Sequence, residues 1–161
     1  MIFTKVTEDL WNEIHQLQKE AFQEELYEEL EVLISKWQRS PESCFVLNSS
    51  SNNVSAYLIS HKWDALTPPV LNKTLPTVSP SGPILYLHDL VVSHQVKGQG
   101  IGSMMVKHLL KIANIKGYEK ILLVAVQGAD RFWSRQGFIE MKGEYDCNSY
   151  GSDAKLMFMN L

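Results

Sequence analysis

Two apolar runs, 85–92 (LYLHDLVV) and 121–126 (ILLVAV), are joined by a segment that opens with Gly98, Gly100 and Gly102 and continues with a helical pattern to Lys116 and Gly117. Runs this apolar, with little polar alternation, are strands covered on both faces. Joining two of them through a helix requires parallel neighbours and a right-handed crossover. That one unit commits the chain to an α/β class. Runs 44–47 and 54–63 flank the turn-like SSSNN stretch and predict an antiparallel hairpin, so the sheet must be mixed. Further strands are expected at 2–6, 138–142 and 154–160. Thr7 followed by Glu8 and Asp9 marks a helix start, with Leu10, Ile14, Leu17 and Ala21 along one stripe. A second helix is expected over 26–37 and a short one over 129–135. Between 64 and 83, Pro68, Pro69, Pro76, Pro80 and Pro83 leave no room for a regular element, and so long a loop points to function.

The totals narrow the class. A chain of 161 residues, 45% hydrophobic, builds one domain (1–161) with a sizeable core. Net charge −3 disfavours a nucleic-acid binder, and no apolar run reaches membrane-spanning length. The N-terminus lacks a signal-peptide pattern, and Cys44 and Cys147 form no CxxC pair or metal-ligand spacing, so a cytoplasmic protein with reduced thiols and no metal is expected.

Glycines where a strand turns into a helix let the main chain approach a ligand, and the N–H groups and helix dipole there favour an anion such as a pyrophosphate. Lys97 adds a positive charge at the mouth. A P-loop would need Gly-Lys-Ser/Thr after the glycines, whereas here the lysine precedes them. A dinucleotide fold places its loop after the first strand and supplies a ribose-binding carboxylate, which is missing after Val126. The segment Lys97-Gly98-Gln99-Gly100-Ile101-Gly102 instead resembles the acyl-CoA motif Q/R-x-x-G-x-G/A of the GNAT acetyltransferases. Ala129-Asp130-Arg131-Phe132-Trp133-Ser134-Arg135-Gln136-Gly137-Phe138 is similar to that family's A-x-x-F/L-Y-x-x-x-G-F. The specific agreement covers about residues 84–140. The resemblance implies a GNAT fold: a mixed, mostly antiparallel sheet of six or seven strands with a splayed parallel pair and about four helices. It also implies acetyl-CoA as cosubstrate, and many members are homodimers. By position, N–H groups of Leu90, Val91 and Val92 would pair with the pantetheine arm. Lys97, Gly98, Gln99, Gly100, Ile101, Gly102 and Ser103 would take the pyrophosphate, and Trp133 would line the coenzyme site.

Direct attack of an amine on a thioester, through a tetrahedral intermediate, needs a base, an oxyanion stabiliser and an acid for the thiolate. His88 is the candidate base. The surrounding segment is similar to that of the serotonin (arylalkylamine) N-acetyltransferases, where a strand histidine at the matching position lies on the proton path. Strict alternation puts Tyr86, His88, Leu90 and Val92 on one face and Leu85, Leu87, Asp89 and Val91 on the other. Asp89 is either a hydrogen-bonded structural acid or a group that orients a neighbour or binds the amine. Trp133 stands where the family has an acidic tyrosine, which leaves Tyr145 and, preferred, Tyr150 as the acid, with Tyr150 as an anchoring aromatic and solvent as the proton source being the alternative; His94 replaces a usual proline. His15 and His108 are expected on helix surfaces, His61 as an ordinary strand residue, Met104 and Met105 in the core. Glu20, Glu24, Glu25, Glu28, Glu29 and Glu31 form either a solvated face or a funnel for a cationic amine. The leading functional reading is acetylation of the primary amine of a small molecule. Protein N-terminal or lysine acetylation, and non-catalytic acyl-CoA sensing, are the alternatives.

Overall fold

The computed structural model describes residues 1–75 and 82–161; Pro76 and Pro80 of the proline-rich loop lie outside the described residues. The strands are β1 (Ile2–Lys5), β2 (Phe45–Asn48), β3 (Val54–Trp63), β4 (Ile84–Val92), β5 (Lys120–Ala125), β6 (Ile139–Glu140) and β7 (Lys155–Asn160). The helices are α1 (Trp11–Ala21), α2 (Leu30–Arg39), α3 (Ile101–Lys116) and α4 (Asp130–Arg135). One seven-stranded sheet runs in the order β1-β2-β3-β4-β5-β7-β6. Every described pairing is antiparallel except β4 with β5, the parallel pair expected from the sequence.

Two cores explain why the central strands carry so little polarity. On one face Met105, Leu109 and Ala113 of α3 and Trp133 of α4 pack on Ala56, Leu58, Leu85, Leu87, Ile121 and Leu123. On the other, Trp11, Ile14 and Leu17 of α1 and Leu33 of α2 pack on Val46, Tyr57 and Ile59. Burying each such leucine or isoleucine contributes about 1.5–3 kcal/mol, which outweighs the modest propensities of these short elements.

Three departures from the sequence reading matter for the site. Strict alternation fails in β4, because Asp89 pairs with Ile59 and Leu87 with Ser60, which leaves His88 as an extra, bulged residue. Beyond the bulge the faces exchange: Leu90 and Val92 join Leu85 and Leu87 against α3, while Asp89 and Val91 turn toward α1 and α2. The second helix starts at Leu30 rather than at 26, since residues 24–26 form a separate 3-10 turn and Tyr27 and Glu29 are extended. The Gln18 side chain holds that break open: its Oε1 accepts from Glu28 N–H at 2.8 Å and its Nε2 donates to Glu28 O at 3.1 Å. Finally, three residues are placed differently than expected. His15 is half-buried with Nε2 3.2 Å from Glu28 O, His108 stacks on Phe3 with ring centroids 4.2 Å apart, and Met104 is exposed.

Candidate active site

Pairing between β4 and β5 stops at Tyr86 and Leu122, although both strands continue. The strands diverge beyond that point, and a cleft of about 640 Å³ opens between them. Ser93 N–H donates to Ser55 O at 2.8 Å. In an antiparallel ladder, hydrogen-bonding direction alternates, so Val91 points its N–H at β3 while Leu90 and Val92 point theirs into the gap. The gap-facing amides therefore number two of the three expected, and Val91 is the correction.

At one end of the cleft stand Lys97, Gly98, Gly100, Ile101, Gly102 and Ser103. Gly98 and Gly100 have φ of +81° and +76°, a conformation that excludes ordinary side chains, and a Cβ on either would point into open space. Gly102 is helical and close-packed instead, since a Cβ there would lie 3.0 Å from the Phe132 ring. Gln99 is exposed and does not line the cleft. Trp133, packed edge-on against Phe132 and Phe138, walls the middle, and Arg135 adds a cation.

Away from the glycine turn the lining becomes apolar. Phe22 and Leu26 from the strap after α1, with Leu71 and Tyr150, form the walls of that end. Gln127 clamps the strap to the end of β5, accepting from Gln23 N–H at 2.7 Å and donating to Ala21 O at 3.1 Å. The segment around Leu71 is fastened as firmly. Tyr150 donates to Pro69 O at 2.7 Å, Ser149 Oγ accepts from Leu71 N–H at 3.1 Å, and Asn72 N–H donates to Glu28 Oε2 at 2.8 Å. Tyr86 in turn donates to the Tyr150 hydroxyl at 3.1 Å, and burial raises the Tyr150 phenol far above its ordinary range.

Beside this end lies a buried charged cluster. Glu28 pairs through Oε1 with His88 Nε2 and through Oε2 with Lys36 Nζ at 2.9 Å. Lys36 Nζ also sits 3.0 Å from His88 Nε2 and 3.3 Å from its Nδ1. The three side chains are 0–1% exposed. Asp89 Oδ1 is 3.9 Å from His88 Nε2, and its Oδ2 accepts from the Tyr57 hydroxyl at 3.1 Å. Burial opposes the Glu28 charge, but His88 and Lys36 outweigh it and hold the carboxyl well below the usual range. For Asp89 burial wins: with Glu28 adding to it, the carboxyl is pushed up to about 6. Burial also depresses Lys36, against the pull of Glu28 and Asp89. Donor atoms of Glu28, His88 and Asp89 lie close enough to suggest a cation site, but the Lys36 ammonium already supplies the positive charge there.

The chain that builds this parted strand pair and glycine turn matches the model of the acetyltransferase (GNAT) family over residues 11–138. This chain belongs to the GNAT family. It is an acyltransferase, with acetyl-CoA as cosubstrate. Among solved structures, the loading GNATL domain of CurA from Lyngbya majuscula superposes with TM-score 0.79 at 16% identity, covering 99% of this chain and 96% of that one. Rv2747 from Mycobacterium tuberculosis, solved with CoA and NLQ, gives 0.72 at 16%, covering 100% and 99%. The ribosomal-protein-S18-alanine N-acetyltransferase from Escherichia coli gives 0.69 at 14%, covering 99% and 92%. No curated protein sequence matches the chain.

The GNAT cleft thus gathers His88, Tyr150, Leu90, Val91, Val92, Lys97, Gly98, Gly100, Ile101, Gly102, Ser103 and Trp133 along one wall or another. Sequence reasoning did not single out Lys36, Gln127 or Arg135, and left Glu28 unresolved among six glutamates. The signal for Glu28 was available only as Gln18, a polar residue on the apolar stripe of α1 that is 1% exposed. Among the described residues no helix is long and apolar enough to cross a membrane.

Proposed function

We propose that this GNAT enzyme acetylates the primary amine of a small molecule, with His88 as the base. The observation that carries the reading is the apolar wall of Phe22, Leu26 and Leu71, whose segments are fastened by Gln127, Tyr150 and Ser149 beside the His88–Asp89 pair. An amine on a compact apolar body fits an apolar-walled cleft with a few polar groups placed to orient it. The Leu90 and Val92 amides, the Gly98–Gly100 turn and Lys97 would hold acetyl-CoA, which supplies the activated acetyl group. Gly98 and Gly100 fit that task because their backbone admits an anion where a side chain would block it. His88 takes the proton from the entering ammonium, and a gap-facing amide of β4 stabilises the developing oxyanion. Tyr150 keeps its proton at neutral pH and already donates it to Pro69, so its role shifts from proton source to wall and anchor. The thiolate is then protonated from solvent.

A second reading, coenzyme binding without turnover, is favoured by Trp133, which occupies the position of the family tyrosine and has no proton to lend. Incubation with acetyl-CoA and panels of free amines and peptides, following thiol release, separates the two. Acceptor-dependent release with free amines supports the enzyme reading. Preference for peptides, or tight binding with no release, refutes it.

A further inference from the structure

We infer that Glu28 and Lys36 are positioning residues that set the tautomer and charge of His88, and that together with Asp89 they make a cluster with room for one added proton. The inference rests on the reading of His88 as the base of an amine acetyltransferase.

The geometry constrains the ring. Glu28 Oε1 accepts the Nε2 proton, and the Lys36 ammonium lies against the ring, 3.0 Å from Nε2 and 3.3 Å from Nδ1. A neutral imidazole that gives its Nε2 proton to this carboxylate keeps its lone pair on Nδ1, with the Lys36 ammonium beside both nitrogens. Both residues reach the ring through local structure already described. Gln18 interrupts the helix so that Glu28 enters the core, and Lys36, one to two turns into α2, follows it to the same side. Among the described residues, nothing else that faces His88 carries charge at neutral pH except Asp89. His61 of β3 is kept neutral by burial, and Tyr57, Tyr86 and Tyr150 are all raised by burial and stay protonated.

The charges then balance in one way. With Glu28 and Asp89 ionised and Lys36 protonated, a neutral His88 leaves the cluster one negative charge in excess. That excess attracts the cationic amine and is cancelled when His88 accepts its proton. The N–H bond of the ammonium breaks to give a free amine, and a new N–H bond forms at Nδ1, displacing the long Lys36 contact. Attack forms the C–N bond, collapse of the intermediate breaks the C–S bond, and the second nitrogen proton passes to solvent; the thiolate takes one proton from solvent and His88 returns its own, so one proton is released per turnover.

The two positioning residues carry opposite charge, so their removal must act in opposite directions. Ring 15N titrations of the free protein, with no coenzyme or acceptor, compare native protein with Glu28→Gln, Lys36→Met and the double variant. Glu28→Gln removes the anion and should move the His88 protonation midpoint down by about one pH unit, a tenfold change in proton affinity. Lys36→Met removes the cation and should move it up by a similar amount, and the double variant should lie between the two. If Lys36→Met alone fails to fold, its effect is read from the double variant against Glu28→Gln. The acid limb of kcat/KM should follow the same order. Shifts in the same direction, or none, overturn the inference. Opposite shifts in a protein that acetylates no free amine would leave the cluster standing and remove the small-amine reading instead.

Discussion

Gly100→Val offers a quantitative test of the coenzyme turn because the fold contains its own control. Gly100 caps the start of α3 with φ +76° and ψ 11°, and Gly117 caps its end with φ +79° and ψ 23°. At both, a Cβ would meet no heavy atom within 4 Å, so the cost to the folded state is conformational. A left-handed residue with a side chain costs about 1–2 kcal/mol. For a chain of this length that lowers Tm by about 2–8 °C, leaving both variants folded. The two then part ways in function. Gly100 lies in the cleft wall and Gly117 does not. A branched side chain at 100 denies the phosphate at least one charge-assisted hydrogen bond, worth about 1.5–3 kcal/mol, or about 10- to 150-fold in affinity. Calorimetric titration with coenzyme A, alongside thermal unfolding, reads both quantities. The expected result is equal loss of stability in Gly100→Val and Gly117→Val, with weakened coenzyme binding only in the first. Native affinity in a folded Gly100→Val protein would falsify the assignment of the turn as the diphosphate site.

Four further expectations concern the acceptor side. His88→Gln should lower turnover at neutral pH by about 10²- to 10⁴-fold, with partial recovery at high pH where free amine is present without help; an unchanged pH–rate profile removes His88 as base. Tyr150→Phe should destabilise by about 1–3 kcal/mol, because Pro69 O loses its donor, yet leave the alkaline side of the kcat profile unmoved; loss of that limb would restore it as the thiolate's acid. Gln127→Ala frees the strap from β5 and should raise the acceptor KM up to about tenfold with coenzyme affinity intact, as steady-state kinetics can show. The raised Asp89 carboxyl predicts a pH dependence of stability. Between the ordinary aspartate range and about 6 the folded state holds a proton that the unfolded chain has lost, so stability falls as pH rises through that window. Asp89→Asn should flatten the decline in Tm over pH 4 to about 6, and an unaltered slope would refute the assignment. Glu28, held low, acts with the opposite sign: its contribution is present above the ordinary glutamate range and is lost on acidification below it.

What the sequence determined by itself is the half of the cleft proposed to hold the coenzyme. The parallel pair, the glycine turn and the helix behind it occupy one continuous stretch, and their function depends on main-chain groups. The pattern of apolar runs and side-chain-free positions was therefore sufficient to place them. Tertiary structure decided the acceptor half. Glu28, Lys36 and His88 stand 8 and 52 residues apart along the chain, and no local pattern links them. One polar side chain on α1, Gln18, breaks a helix that propensity would have continued and turns Glu28 inward, while the five other glutamates of that stretch stay exposed. The bulge at His88 was equally hidden. In a strand apolar on both faces, alternation carries no information about which face a residue takes, so only the pairing of β4 with β3 could set it. Burial did the rest: it makes an ordinary glutamate, lysine and aspartate into a coupled cluster, because removing water strengthens every charge interaction among them.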